Sequence, residues 1–442
     1  MAAHREQSDS APIVMVHGLF GWNGQELFGY PYFRSAERIT TGRKALRYYP
    51  EGNAPRLLFP GTGAVSSLHD QACELFYQLK GGTVDYGEAH SAEFGHKRFG
   101  RTYDAPLYAE WDAAHPLDFV AHSMGAAVVR MLQYLLANAF FHRPDGTAYE
   151  TAPSWIRSVS AVAGVHNGST LAWILGCSET DGTLKNTANF IGLLGTLFAK
   201  WQKLSDKNPA VRTLYDLQLD QWDIGTGTPP SALFASDALE EFFKSRDAAP
   251  YDLTPNAMAR WNTELIEYPD TWYFSYPVCA TIPACSVQLP LYPFLHLFLL
   301  YFGFKMGTFV CAPENPFRAL QKKFRANDGM CPTWSELRPI LGRDSAAVTP
   351  DAAAAVTPDA AAAVTPAAAA APFVRPARSD LPASGVLSAS GGTAKGIWHC
   401  MKPVRGRDHA DVAMLPRFFT LTGTDRLYKT VFDRIYLLWR IT

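Results

Sequence analysis

The segment Ala121-His122-Ser123-Met124-Gly125 constrains this chain more than any other. It joins an apolar run, Leu117-Asp118-Phe119-Val120, to a run of helix formers from Ala126 to Ala137. A buried strand that passes at once into a helix needs a tight turn, and only small residues fit where the two nearly touch. Ala121 and Gly125 meet that need on either side of the serine. Such a turn holds Ser123 at the end of its strand with the hydroxyl free. The same pattern also describes an ordinary strand-to-helix turn, so its meaning depends on what else the chain carries.

Three other segments bear on it. Ile13-Val14-Met15-Val16 reads as a short buried strand and runs into His17-Gly18-Leu19-Phe20-Gly21-Trp22, a loop whose glycines let backbone N–H groups face a ligand. Ala326-Asn327-Asp328-Gly329 is a polar turn holding a carboxylate, and Arg407-Asp408-His409-Ala410-Asp411 supplies an imidazole. The order of donor loop, serine, acid and histidine is that of an α/β-hydrolase, with Ala121 in place of the usual first glycine of the elbow. The predicted fold is therefore α/β, an α/β-hydrolase with a mostly parallel central sheet. Asp408 is a rival for the acid, but an adjacent residue rarely points at its neighbour's ring, and Asp252 is too far from the expected strand end; Asp328 is preferred. His17, His122 and His166 read as hydrogen-bonded residues around the site.

With 442 residues and 48% hydrophobic content, the chain can build one large domain over 12–442 with sizeable insertions, after a polar, disordered stretch at 1–11. The net charge of −1, with Lys and Arg scattered, speaks against a nucleic-acid surface. Seven widely spaced cysteines read as mostly buried thiols of a reducing compartment; Cys279 with Cys285, or Cys311 with Cys331, could pair if the chain were exported. Met1 to Ser10 is polar and has no apolar core, which reads as no secretory signal and an intracellular setting, peripheral to a membrane or lipid droplet.

Several blocks resemble the thermoalkalophilic, zinc-containing bacterial lipases and their plant relatives: Pro12 to Gly18 with Gly21-Trp22; His69-Asp70-Gln71-Ala72-Cys73-Glu74; Gly81 to Gly87 through His90; Gly95 to Tyr103; Leu219-Asp220-Gln221-Trp222; Tyr251-Asp252-Leu253; Asn327-Asp328-Gly329; and Lys395-Gly396-Ile397-Trp398. They run through roughly 12–280 and 325–425. The resemblance implies Ser123 as nucleophile, His409 as the base that takes its proton, and Asp328 as the group that orients His409. It implies an oxyanion hole from the backbone N–H groups of Leu19 and Met124. Met124 replaces the family's usual glutamine, so the donor survives but a polar side chain is lost.

The resemblance also implies zinc on Asp70, His90, His96 and Asp220. The residue types suit it, because zinc takes neutral imidazoles and carboxylates tetrahedrally. Four protein ligands leave no open position, so the ion would be structural, pinning a subdomain of about 66–110 and 210–225 to the core. A neighbouring position often polar in the family is Phe94. The family's calcium site near the catalytic histidine survives only in part. Asp411 matches a ligand, but the expected Asp-Pro is replaced by Leu415-Pro416, which makes calcium doubtful; Asp411 can instead hold the histidine loop by hydrogen bonds.

Three further segments stand out. In about 183–206, Phe190 to Trp201 has apolar residues at helical spacing around Gly192 and Gly195, a core helix or, by the resemblance, a helical lid over the serine. About 284–311 is an apolar insert approaching transmembrane length, but Pro290, Pro293, His296 and Lys305 count against a span. It reads as an apolar cap able to dip into a lipid surface, or as a buried insert. About 344–390 repeats Val-Thr-Pro-Asp-Ala-Ala-Ala-Ala with prolines at 350, 358 and 366, the composition of a disordered or extended loop.

The expected function is a serine-dependent lipid ester hydrolase, a triacylglycerol lipase or related carboxylesterase, working through an acyl-enzyme at a lipid interface. The same triad could serve an acyltransferase if the acceptor were an alcohol. A non-catalytic membrane-surface protein that kept the fold is the third reading, and its sign, a broken triad, is absent. The expected partners are a lipid ester substrate and a lipid interface.

Overall fold

The structure, a computed structural model, describes residues 11–24, 26–189, 215–224, 237–291, 294–343, 394–417 and 421–441. The expected disordered N-terminus, most of the lid segment and the whole alanine-rich insert lie outside these residues.

Six parallel strands form the central sheet: β1 (Ile13–Val16), β2 (Leu57–Leu58), β3 (Leu117–His122), β4 (Ile156–Val162), β5 (Trp272–Tyr276) and β6 (Trp398–Cys400). Their order across the sheet is β6-β5-β4-β3-β1-β2. The alternation of β1 decides the layering. Val14 and Val16 face α1 (Leu68–Lys80) and α2 (Gly125–Ala137), whereas Ile13 and Met15 face α4 (Leu421–Ile441). On that second face Tyr428, Val431, Phe432, Ile435 and Leu438, spaced as one helical stripe, cover Val120, Val162 and Phe274. With both faces covered, the strands are continuous apolar runs, as parallel sheets require. This is the predicted α/β-hydrolase arrangement.

Two insertions matter for the site. The first holds α1 and an antiparallel hairpin, Gly82–Asp85 with Phe99–Tyr103. The Ser67 side chain caps α1 by accepting the Asp70 N–H, and Gly81 ends it at φ 84°. The second is the apolar insert. It is a hairpin, Thr281–Ala284 with Val287–Pro290, followed by the 11-residue α3 (Leu297–Gly307). Among the described residues no helix is long and apolar enough to cross a membrane. Leu299, Gly303 and Met306 of α3 are buried, while Leu297, Tyr301 and Phe304 on the other side are exposed. All seven cysteines are free thiols.

Candidate active site and metal centre

Ser123 stands at the carboxyl end of β3, the central strand, with a left-handed backbone (φ 58°) that non-glycine residues rarely adopt. Three backbone bonds hold that strain: Ser123 N–H donates to Val162 O at 3.1 Å, and the N–H groups of Ala126 and Val165 donate to Ser123 O at 3.2 and 3.1 Å. Gly125 has no room for a side chain, because a Cβ there would collide with the His17 carbonyl. A Cβ on Gly18 would stand 2.6 Å from Ser123 Cβ, so the loop after β1 lies directly against the serine. The amides of Leu19 and Met124, expected as oxyanion donors, have no partner among the described residues. The Met124 side chain is fully buried against α1, where its sulfur accepts from Gln71 Nε2 at 3.7 Å. Met124 is therefore a core side chain.

His409 Nδ1 donates to Asp328 Oδ2 at 2.6 Å, and His409 N–H donates to Asp328 O at 3.1 Å. Asp328 Oδ1 accepts the N–H groups of Met330 (2.9 Å) and Cys331 (2.7 Å), so the carboxylate is fixed at both oxygens. Asp408, the rival acid, turns away and binds His296. Behind Asp328 lies Glu336, whose Oε2 accepts from Val278 N–H at 2.6 Å. Burial, and then the charge of Asp328, push the Glu336 carboxyl well above the carboxylate range. Among the described residues no direct hydrogen bond joins Ser123 Oγ to His409; such bonds are often long in a site without substrate.

The serine and histidine are brought together through His122. Its Nε2 donates to His409 O at 3.1 Å, which leaves Nδ1 as an acceptor for the Tyr32 hydroxyl at 2.7 Å. The Tyr32 oxygen in turn accepts the Gly18 N–H at 3.1 Å. One chain of hydrogen bonds thus runs from the donor loop to the His409 backbone. Burial, then the neighbouring His409, hold the His122 ring well below its ordinary pKa, so it stays neutral as this chain requires. Burial raises Tyr32, which stays a donor. His17 is likewise neutral, lowered to about 4 by burial, and its Nε2 accepts from Thr62 N–H at 3.0 Å.

The second cluster lies at the start of α1. Donor atoms of Asp70, His90, His96 and Asp247 all fall within 4.8 Å of one another. His90 Nε2 is 3.2 Å from both Asp70 Oδ1 and Asp247 Oδ1, and His96 Nε2 is 3.3 Å from Asp247 Oδ2. A tetrahedron with metal–ligand bonds of ~2.0–2.1 Å has edges of roughly 3.3–3.4 Å, so the set has the dimensions of a divalent-ion cage. His96 Nδ1 donates to Lys97 O at 2.8 Å, which aims the lone pair of Nε2 into the cluster. That nitrogen and Asp247 Oδ2 are buried with no hydrogen-bond donor between them, as ligand atoms are. Burial opposes charge on His90, but hydrogen bonds to Asp247 and Asp70 outweigh it and push its pKa to about 10. Phe94 and Trp222 pack on the His90 and His96 rings.

One expected ligand is corrected. Asp220 is outside the cluster and pairs with Arg101, with a third of its side chain exposed. It opens a one-turn helix, Asp220–Trp222, that points Asp220 outward and Gln221 inward, where Gln221 Nε2 donates to Asp70 Oδ2 at 2.7 Å. The fourth place in the cluster is taken by Asp247. A β-bridge from Ser66 to Ala248, with Ala249 N–H donating to Val65 O at 3.0 Å, fixes it beside α1. Asp247 lies four residues before Tyr251-Asp252-Leu253, a block that carries the resemblance, and that closeness was the available signal.

A parallel sheet with an elbow serine, an acid in a later turn and a late histidine defines the α/β-hydrolase class. Within it, the chain belongs to the "Lipase-like, C-terminal domain" family, which matches residues 9–353. A lipase of Staphylococcus hyicus is 28% identical over 284 residues, covering 61% of this chain and 40% of that protein. In structure, EstA from Clostridium botulinum aligns with a TM-score of 0.66 at 24% identity, covering 94% of this chain and 87% of that one. Lipase 1 from Pelosinus fermentans aligns with a TM-score of 0.63 at 25% identity, covering 96% and 98%. The chain spans about half the length, or less, of the curated relatives it matches.

Proposed function

We propose that the chain is a serine-dependent hydrolase of lipid esters. The observation that carries it is the convergence at one strand end of a strained, small-residue-flanked serine with a buried His409–Asp328 pair at 2.6 Å. Ser123 Oγ attacks the acyl carbon while His409 Nε2 takes its proton, and Asp328 stabilises the imidazolium. The Leu19 and Met124 amides hold the oxyanion, each worth ~3 kcal/mol in the transition state. His409 then protonates the leaving alcohol, and water, activated by the same ring, releases the acid. The relatives are named as lipases, which favours water over an alcohol as acceptor.

Lipid as the substrate class is supported by α3 and its flanks. Leu297, Tyr301, Phe304 and Val310 are 74%, 62%, 48% and 63% exposed, an apolar face suited to an aggregated substrate or a membrane surface. For the ion in the second cluster, two imidazoles and two carboxylates suit zinc. Asp70, His90, His96 and Asp247 would hold it with no site left for water, so its contribution is to tie the α1 insertion together.

The test is hydrolysis of short- and long-chain p-nitrophenyl esters by the wild type and Ser123→Ala. Activity that disappears in the variant and rises on aggregated long-chain ester is expected. Equal turnover by both proteins would sink the proposal.

A further inference from the structure

Asp408 and Asp411 flank His409, and neither exposes any surface. Two buried carboxylates so close together need donors and positive charge to remain ionised. The chain supplies both. Asp411 Oδ1 accepts the Arg417 N–H at 2.9 Å, and its Oδ2 accepts Arg417 Nη2 at 3.3 Å. Arg407 Nε lies 3.6 Å from that same oxygen. Asp408 Oδ1 accepts the Asp411 N–H at 2.8 Å, and its Oδ2 accepts the His296 N–H at 2.5 Å. Arg417 Nη1 stands 4.0 Å from Asp408 Oδ2, and Nη2 also donates to the Phe294 carbonyl at 3.2 Å. The Arg417 side chain is 13% exposed. A planar cation therefore sits among two carboxylates and a carbonyl, joining the His409 loop to the chain that enters α3.

Calcium, which the family resemblance attaches to this loop, does not fit these residues. It takes 6–8 oxygens at ~2.3–2.6 Å. The oxygens of Asp408, Asp411 and Phe294 that could serve already receive protein N–H groups, and a guanidinium beside them repels a second cation.

We propose that Arg417 is a built-in counter-cation that positions His409, so that this loop works without calcium. Arg417 acts through Asp411 and Asp408 and touches no reacting atom. Its two terminal nitrogens face different groups, Nη2 donating to Asp411 and the Phe294 carbonyl and Nη1 standing toward Asp408, a spread that a lysine's single ammonium cannot reproduce.

The activity arm of the test rests on the hydrolase reading; the metal arm does not. Elemental analysis of the purified wild type should find no stoichiometric calcium, and millimolar calcium should leave its melting temperature unchanged. Arg417→Ala should lose roughly 10- to 100-fold in kcat on a soluble short-chain ester with KM little moved, the signature of a misplaced base. Arg417→Lys should recover part of that loss. Bound calcium in the wild type, or a calcium-induced rise in its melting temperature, overturns the proposal. So does a folded Arg417→Ala with wild-type kcat. If Arg417→Ala does not fold, Arg417→Lys and the wild-type metal analysis decide. A wild type inactive on every ester refutes the hydrolase reading and leaves the metal arm standing.

Discussion

Tyr32 offers the sharpest check on how the site is held. Replacing it with phenylalanine removes one oxygen and keeps the ring, which packs edge-on against Trp22 and Phe33 at centroid distances of 5.0 and 4.9 Å. No sizeable cavity follows. The loss falls on two buried groups: the Gly18 N–H, 3.1 Å from the lost oxygen, and His122 Nδ1, 2.7 Å from it. Each buried group left unpaired costs about 1–3 kcal/mol, so Tyr32→Phe should be destabilised by about 2–6 kcal/mol. The Gly18 amide also steers the loop that carries the Leu19 N–H. A whole oxyanion donor is worth ~10²–10³ in kcat, and a loosened one should cost on the order of tenfold. The assay pairs thermal unfolding with kcat and KM on a soluble short-chain ester, which removes interfacial binding from the comparison. A variant within ~0.5 kcal/mol of wild type and with unchanged kcat would show that the Gly18–Tyr32–His122 chain does not organise the site.

Gly18→Ala should abolish turnover while the protein stays folded, because its Cβ would meet Ser123 Cβ at 2.6 Å; retained turnover would mean the loop sits elsewhere. Asp247→Asn should lose bound metal by elemental analysis and Asp220→Asn should keep it; the reverse result would restore Asp220 as the ligand. His17, His122 and His166 are all held below the ordinary histidine pKa by burial, His17 at about 4. Their folded pKa values lie below the unfolded value of about 6.5, so the unfolded chain binds more protons in between and stability is lost as pH falls through that window, by up to ~4 kcal/mol per pH unit for three protons. Melting temperature should therefore drop from about pH 7 to about pH 5, and replacing His166, whose ring nitrogens have no hydrogen-bond partner among the described residues, by leucine should make the drop shallower; an unchanged slope counts against it. Replacing Leu297, Tyr301 and Phe304 by serine should reduce hydrolysis of aggregated long-chain ester and spare the soluble one; equal losses on both would refute a surface role.

The sheet and the serine–acid–histidine order were legible because each depends on local signals: apolar runs, small residues at a turn, and chain order. Asp328 could be chosen over Asp408 by adjacency alone. Three of the four residues in the candidate metal cluster, Asp70, His90 and His96, came from the family resemblance of the blocks that hold them. Asp247 was not legible, because a bridge between Ser66 and Ala248 brings it there, and such pairing leaves no period in the sequence. Asp220 misled because the one-turn helix rotates it away and presents its neighbour Gln221. Tyr32 was missed because its partner His122 is 90 residues away. Arg417 follows the Leu415-Pro416 pair read as a lost calcium ligand; which way its side chain turns is a matter of tertiary packing.

The attachment of α3 has a mechanical consequence. Asn327 Nδ2, next to Asp328, donates to Gly303 O at 3.1 Å, and the His296 N–H, at the head of the same helix, donates to Asp408 beside His409. A Cβ on Gly329 would strike Leu299 at 3.0 Å, so the acid's turn also packs flush on this helix. Swinging α3 outward would tear the supports of both the acid and the histidine. It is a strut, and any element that uncovers the serine has to be a different one. On the proposed reading, a lipid surface that received its apolar side would set the tilt of the whole domain, and the strand end bearing Ser123 would meet the film at one fixed angle.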